Sequence, residues 1–238
     1  MIKQLFIQSD GPSDWKKKLS NQNRQWKRGK SAFEAAISWE NASRSIYGLP
    51  TRIRNRLKNV TELKDATLLL GIIEHKVSLK SSGHSSQSDL WGLLKTNIGL
   101  VSMSVEAKAG EPFGQNIEQW LNKDKKKSGR QKRLEFLREV LMIEHKIPSD
   151  IKYQLIHRTA SAILEAERFK TKAALMVVQS FLPDAKALDD FRKFSNLMGA
   201  EIGKNEIRQV KRICGIPLFL CWVECSLASD RQVARAIQ

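Results

Sequence analysis

Residues Ser88–Lys108 read SDLWGLLKTNIGLVSMSVEAK, and the fold follows from their pattern. A Gly/Ser-rich turn (Ser81, Ser82, Gly83, Ser85, Ser86) precedes a single carboxylate, Asp89. Val101 to Val105 then alternates apolar with small polar residues, the period-2 signature of a strand. That strand delivers Glu106, Ala107 and Lys108. Alternation puts Glu106 and Lys108 on one face and turns Ala107 away. Two carboxylates and a backbone carbonyl are the oxygen ligands a hard divalent cation takes, and a lysine beside them can polarise water or offset charge on a phosphate.

Asp89 followed by Glu106-Ala107-Lys108 resembles the motif of the PD-(D/E)xK nuclease superfamily, an Asp on one core strand and Glu-x-Lys on the next. Ser88 stands where the proline of that motif would be. A longer likeness covers Ser86–Leu90, Val105–Gly114 and Tyr153–Phe169; these stretches resemble a family of uncharacterised prokaryotic proteins assigned to the same fold. The resemblance implies an α/β, restriction-endonuclease-like core, a small mixed sheet flanked by helices. It also implies that Asp89, Glu106 and the carbonyl of Ala107 hold Mg²⁺ or Mn²⁺ while Lys108 positions the attacking water. An N-terminal helix of that superfamily often adds an acid, here Glu40, and the helix after the Glu-x-Lys strand would bring Gln154 to the reacting phosphate or water and Arg158 to the phosphate.

The 238 residues suffice for a domain with a real core, and 41% hydrophobic content argues against global disorder. Lys and Arg number 41 against 25 Asp and Glu, a net charge of +16. Such an excess attracts polyanions by releasing their counterions, so nucleic acid, duplex DNA foremost, is the expected partner. A homodimer is left open. Cys214, Cys221 and Cys225 form no zinc or disulfide pattern and are expected to be reduced, and no apolar run reaches membrane-spanning length, which leaves a cytoplasmic location as the expectation.

Residues 1–30 are polar and basic, with Trp15 and Trp26 interleaved, and read as an arm before a domain over 31–238. A helix is expected from Ser31 to Tyr47, a basic segment over 51–64 and a first strand from Ala66 to Leu79, where Glu74 and His75 read as ordinary polar strand residues. Gln87, two before Asp89, shares its side of an extended chain and is a candidate nucleic-acid contact. The basic run Lys123 to Arg133 offers Lys125, Lys126, Lys127 and Arg130 as phosphate contacts. Helices follow to Ile147 and over Ile151 to Lys170, the latter capped by Ser149 or Asp150 and carrying an apolar stripe and a polar one. Ala173–Phe181 and Ile216–Cys225 read as buried strands around a helix from Asp184 to Met198, and Ile202–Arg212 as a polar connection.

The expected function is metal-dependent phosphodiester hydrolysis, with Asp89, Glu106, Lys108 and Gln154 catalytic. The alternative is a nucleic-acid-binding or partner-binding module on the same fold that has no turnover.

Overall fold

The computed structural model describes residues 8–79, 84–123, 127–182 and 184–237. The elements run α1 (Pro12–Lys18), α2 (Gln22–Gln25), α3 (Ser31–Ser43), α4 (Thr51–Leu57), β1 (Thr67–Val77), β2 (Ser86–Thr96), β3 (Gly99–Lys108), α5 (Ile117–Asn122), α6 (Lys127–Val140), α7 (Tyr153–Arg168), β4 (Ala173–Ser180), α8 (Ala185–Leu197), β5 (Ile207–Ile213), β6 (Ile216–Glu224) and α9 (Asp230–Ile237). The strands form a mixed sheet of six among the described residues, in the order β1-β2-β3-β4-β6-β5. Helices flank it, as expected for an α/β core.

Connection lengths explain the order. Two residues join β2 to β3, and the closing pair Thr96–Gly99 is bonded from the Thr96 hydroxyl to the Gly99 carbonyl at 3.0 Å. Such a turn allows only antiparallel pairing. A parallel neighbour needs a crossover, and α5 to α7 supply it between β3 and β4, which pair in parallel from Val101–Ala173 to Lys108–Ser180. All eight residues of β4 are buried, as their continuous apolar run requires at the centre of a sheet covered on both faces.

The two faces of the sheet carry separate cores. Val101, Met103, Val105 and Ala107 of β3 pack with Trp15, Ala35, Ala36 and Trp39 on one face. Met176 and Val178 of β4 pack with Leu155, Ile156 and Ile163 of α7 on the other. Residues 102, 104, 106 and 108 therefore point to the α7 side. Trp15 is buried in the first core and α1 packs against α3, so the basic N-terminal stretch from residue 8 docks on the domain. Among the described residues no helix is long and apolar enough to cross a membrane.

Several expectations need correction. Asp89 lies inside β2, which begins at Ser86, and not at the exit of a turn. Residues 51–57 are helical. The cap of α7 is Lys152, with no side-chain bond, in place of Ser149 or Asp150. The stretch read as a polar connection contains β5, an edge strand whose pairing with β6 shifts register between Gln209 and Lys211. Ile207 packs in the core on one face of the sheet while Val210 and Ile213, beyond the bulge, pack in the core on the other, which hides the period of two.

Gly199, between α8 and β5, has φ +116°, and a Cβ there would stand 2.7 Å from the Val210 carbonyl oxygen. Backbone cannot move aside as a side-chain tip can. Gly199→Ala should cost roughly 1–3 kcal/mol in denaturant unfolding, and an unchanged midpoint would show that the β5 edge yields.

Candidate active site

The site begins where β2 and β3 part. Their last pair is Leu90–Val105. Beyond it the Ala107 N–H donates to Asp89 Oδ2 at 2.6 Å, so a carboxylate replaces the carbonyl that a continued ladder would have supplied. The N–H and C=O of one strand residue leave on the same side. The Ala107 carbonyl thus also points into the gap beside Asp89.

A second irregularity shapes this gap. Glu74 of β1 has φ +53°, the left-handed region that a non-glycine residue seldom takes inside a strand. Ile73 packs in the α3-side core, yet His75, two residues on, bonds Glu165 of α7 at 3.1 Å. Across the ladder the same inversion separates Leu90, in the α3-side core, from Ser88, whose hydroxyl meets that of Ser104 at 2.7 Å. Alternation breaks at Glu74 and Asp89 together. Both carboxylates are thereby taken out of the regular pleat and placed near each other and Glu106.

Strain of this kind costs about 1–3 kcal/mol per residue. It predicts an inverted order of stability: Glu74→Gly should be more stable than Glu74→Ala by about 1 kcal/mol, although glycine is normally the poorer strand residue. Equal or reversed unfolding midpoints for the pair would remove strain from the account.

Glu106 is the hub of the α7-facing side. Its Oε1 accepts from Lys108 Nζ at 2.7 Å and from Gln154 Nε2 at 2.6 Å, and its Oε2 accepts from Arg158 Nε at 2.6 Å. Lys108 Nζ also donates to Gln154 Oε1 at 3.1 Å and lies 5.2 Å from the centre of the Phe113 ring. Arg158 reaches on to the Ser86 hydroxyl at 3.2 Å. Lys108 and Arg158 are 8% and 9% exposed and Glu106 2%, so two cations and one anion are held almost out of water.

The electrostatics divide the acids. Burial alone would raise the Glu106 carboxyl, but the charges of Lys108 and Arg158 and their hydrogen bonds hold it below the usual carboxylate range. Asp89 is pushed well above that range, by burial first and then by the charges of Glu106 and Glu74. Glu74 is raised by burial, against a 2.5 Å hydrogen bond from Gln87, and by Glu106. The site therefore holds one settled carboxylate and two that resist ionisation.

Asp89, Glu106, Ala107, Lys108, Gln154 and Arg158 meet as the sequence suggested, and Gln87 joins them through Glu74. Glu40 does not. It lies on α3, across the sheet, where its Oε1 accepts from Trp15 Nε1 and Ser9 Oγ, both at 2.7 Å. Arg158 faces the cluster, paired with Glu106 and bonded to Ser86. The polar stripe of α7 is likewise buried, with Ser161 and Glu165 turned from solvent. Lys125 and Lys126 lie outside the described residues, Lys127 opens α6, and Arg130 donates to the Trp120 carbonyl with its guanidinium 5.5 Å from that indole's centre. Sequence reasoning passed over Glu74 and Ser86. A charge in the apolar run TLLLGIIEHKV was the available signal for Glu74, but its backbone conformation leaves no trace in spacing.

For a cation, Asp89 Oδ1 and Glu74 Oε1 accept no hydrogen bond among the described residues, and the Ala107 carbonyl faces the same gap. A divalent ion would relieve the repulsion that raises both acids. Glu106, by contrast, has both oxygens taken, and among the described residues no group of three His, Cys, Asp or Glu side chains is arranged to hold an ion. The donors suit an oxygen-seeking cation whose remaining positions go to water and a phosphate oxygen.

Fold and site together define an α/β domain with an acid–lysine cluster at the end of β3. The chain belongs to the family described as a domain of unknown function, DUF6946, which matches residues 8–227. No curated protein and no solved structure matches it.

Proposed function

We propose that the chain is a metal-dependent nuclease of the PD-(D/E)xK type, hydrolysing phosphodiester bonds with DNA as its first substrate. The observation that carries this reading is the 2.6 Å bond from the Ala107 N–H to Asp89, which sets the single Asp of β2 against the Glu-Ala-Lys of β3. The three-stranded antiparallel meander followed by a helical crossover to a parallel strand supports it, being the frame that motif requires. The net charge of +16 supports a polyanionic substrate.

Asp89, Glu74 and the Ala107 carbonyl would hold Mg²⁺ or Mn²⁺, which when bound supplies Lewis acidity toward a phosphate oxygen and lowers the pKa of water. Glu106 holds Lys108 in place. Lys108, with Gln154 against it, would orient the attacking water and offset the charge that grows on the phosphate. Arg158 fixes the outer side of Glu106.

One observation favours the alternative of a binding module without turnover: both Glu106 oxygens are already taken by Lys108, Gln154 and Arg158. Nicking of supercoiled plasmid in Mg²⁺ or Mn²⁺, beside an equal-salt binding assay on the same DNA, separates the two. Cleavage by wild type and its loss in Lys108→Ala is the expected result. Binding without cleavage in either metal would establish the module.

A further inference from the structure

A cavity of about 870 Å³ opens on the sheet face opposite the acidic cluster, between α3, the segment leading into α4, residues 225–228 and α9. Its size falls within the range of small-molecule sites, roughly 300–1,000 Å³. Three features mark its walls, and the charge and the apolar surface select a ligand.

The first is charge. Arg52, Arg231 and Arg235 line the cavity against a single carboxylate, Glu34. Glu34 is buried and already satisfied, since its oxygens accept from the backbone N–H of Gly29 at 2.8 Å and of Ala228 at 2.7 Å. The arginines thus keep a surplus of positive charge at the wall, and guanidinium forks match phosphate and carboxylate groups.

The second is an orphaned acceptor. Asn41, also on the wall, donates through Nδ2 to the carbonyls of Ile37 and Gln232, both at 2.8 Å. Its buried Oδ1 has no partner among the described residues. Rotating the amide would set its oxygen against two carbonyls, so the orientation is fixed and the acceptor stays unmet beneath the wall. The third feature is apolar surface from Ile37, Leu49 and Phe181.

We propose that this cavity binds a small organic anion, an apolar body carrying a phosphate or carboxylate headgroup. The arginines take the headgroup and the apolar wall takes the body. This site is independent of the nuclease reading, and neither test below measures cleavage.

Cys225 lines the cavity, Cys221 is buried in the core and Cys214 is exposed elsewhere, so Cys214→Ser leaves Cys225 as the thiol to follow. The probes are 5′-AMP, decanoate and inorganic phosphate at matched ionic strength, with N-ethylmaleimide labelling at alkaline pH read by mass spectrometry. AMP or decanoate at ten times its Kd should slow labelling about tenfold, and the one that protects identifies the headgroup. Arg231→Glu with Arg235→Glu should abolish the protection. Protection by neither organic anion, equal protection by inorganic phosphate, or protection that survives charge reversal would overturn the proposal. Calorimetric titration of the same probes into wild type and the reversed variant gives the same decision should Cys225 prove unreactive.

Discussion

Asp89→Asn should lose metal-dependent cleavage by about 10²–10³-fold, the scale of removing a principal electrostatic group from a reacting centre, and yet melt higher than wild type in metal-free buffer. The second half follows from the raised carboxyl. Burial, then the charges of Glu106 and Glu74, oppose ionisation of Asp89 in the folded chain. The folded state therefore binds more protons than the unfolded state, and stability falls as pH climbs from the ordinary carboxylate range through the raised value. Asparagine keeps an oxygen for the Ala107 N–H and removes the titration. At neutral pH and above its melting temperature should exceed that of wild type by about 2–4 °C for each kcal/mol of relieved repulsion, and the difference should vanish once the solution is acid enough to protonate Asp89 in both states. Mg²⁺ or Mn²⁺ should stabilise wild type and leave the variant unmoved. Scanning fluorimetry across pH, with and without metal, reads all three. Superimposable wild-type and variant curves would mean that Asp89 is neither strained nor a ligand.

How far the sequence foretold this site depends on which residues obey their local period. β3, β4 and β6 were legible because apolar runs and alternation survive intact there, and with β3 came Glu106 and Lys108; β2 was not read as a strand, and Asp89 came from the motif resemblance alone. Gln154 and Arg158 were legible because α7 is long and cleanly two-sided, although its polar stripe is turned toward the sheet and not toward solvent. What escaped lies at breaks in periodicity. Glu74 reverses its strand through a left-handed residue, and β5 shifts phase at a bulge. Nothing in the identity of either residue announces the break. Glu40 failed for a different reason: helical spacing gives the face of α3 but not which side of the sheet that helix covers, and α3 covers the side away from Glu106.

The second large effect concerns Glu106, whose removal should be far more damaging to the fold than that of Asp89. Glu106→Ala leaves Lys108 and Arg158 buried without the carboxylate they bond to, a loss of about 3–5 kcal/mol, or roughly 10 °C in melting temperature for a chain of this size. The lowered Glu106 carboxyl fixes the pH course. Its stabilisation is complete above the ordinary carboxylate range and disappears only as pH falls through the depressed value, so Glu106→Ala should be deficient throughout the neutral range and approach wild type only in strong acid. A triple replacement, Glu106→Leu with Lys108→Met and Arg158→Met, exchanges the ionic hub for apolar side chains of similar bulk and should recover most of the lost stability, because desolvating an ion pair offsets much of its attraction. Urea unfolding of the three proteins decides the matter. If the triple variant regains wild-type stability but neither cleaves DNA nor responds to metal, the buried charges are maintained for chemistry. If Glu106→Ala is nearly as stable as wild type, water reaches Lys108 and Arg158 freely, and the low-dielectric setting that gives the lysine its proposed leverage on a phosphate is absent.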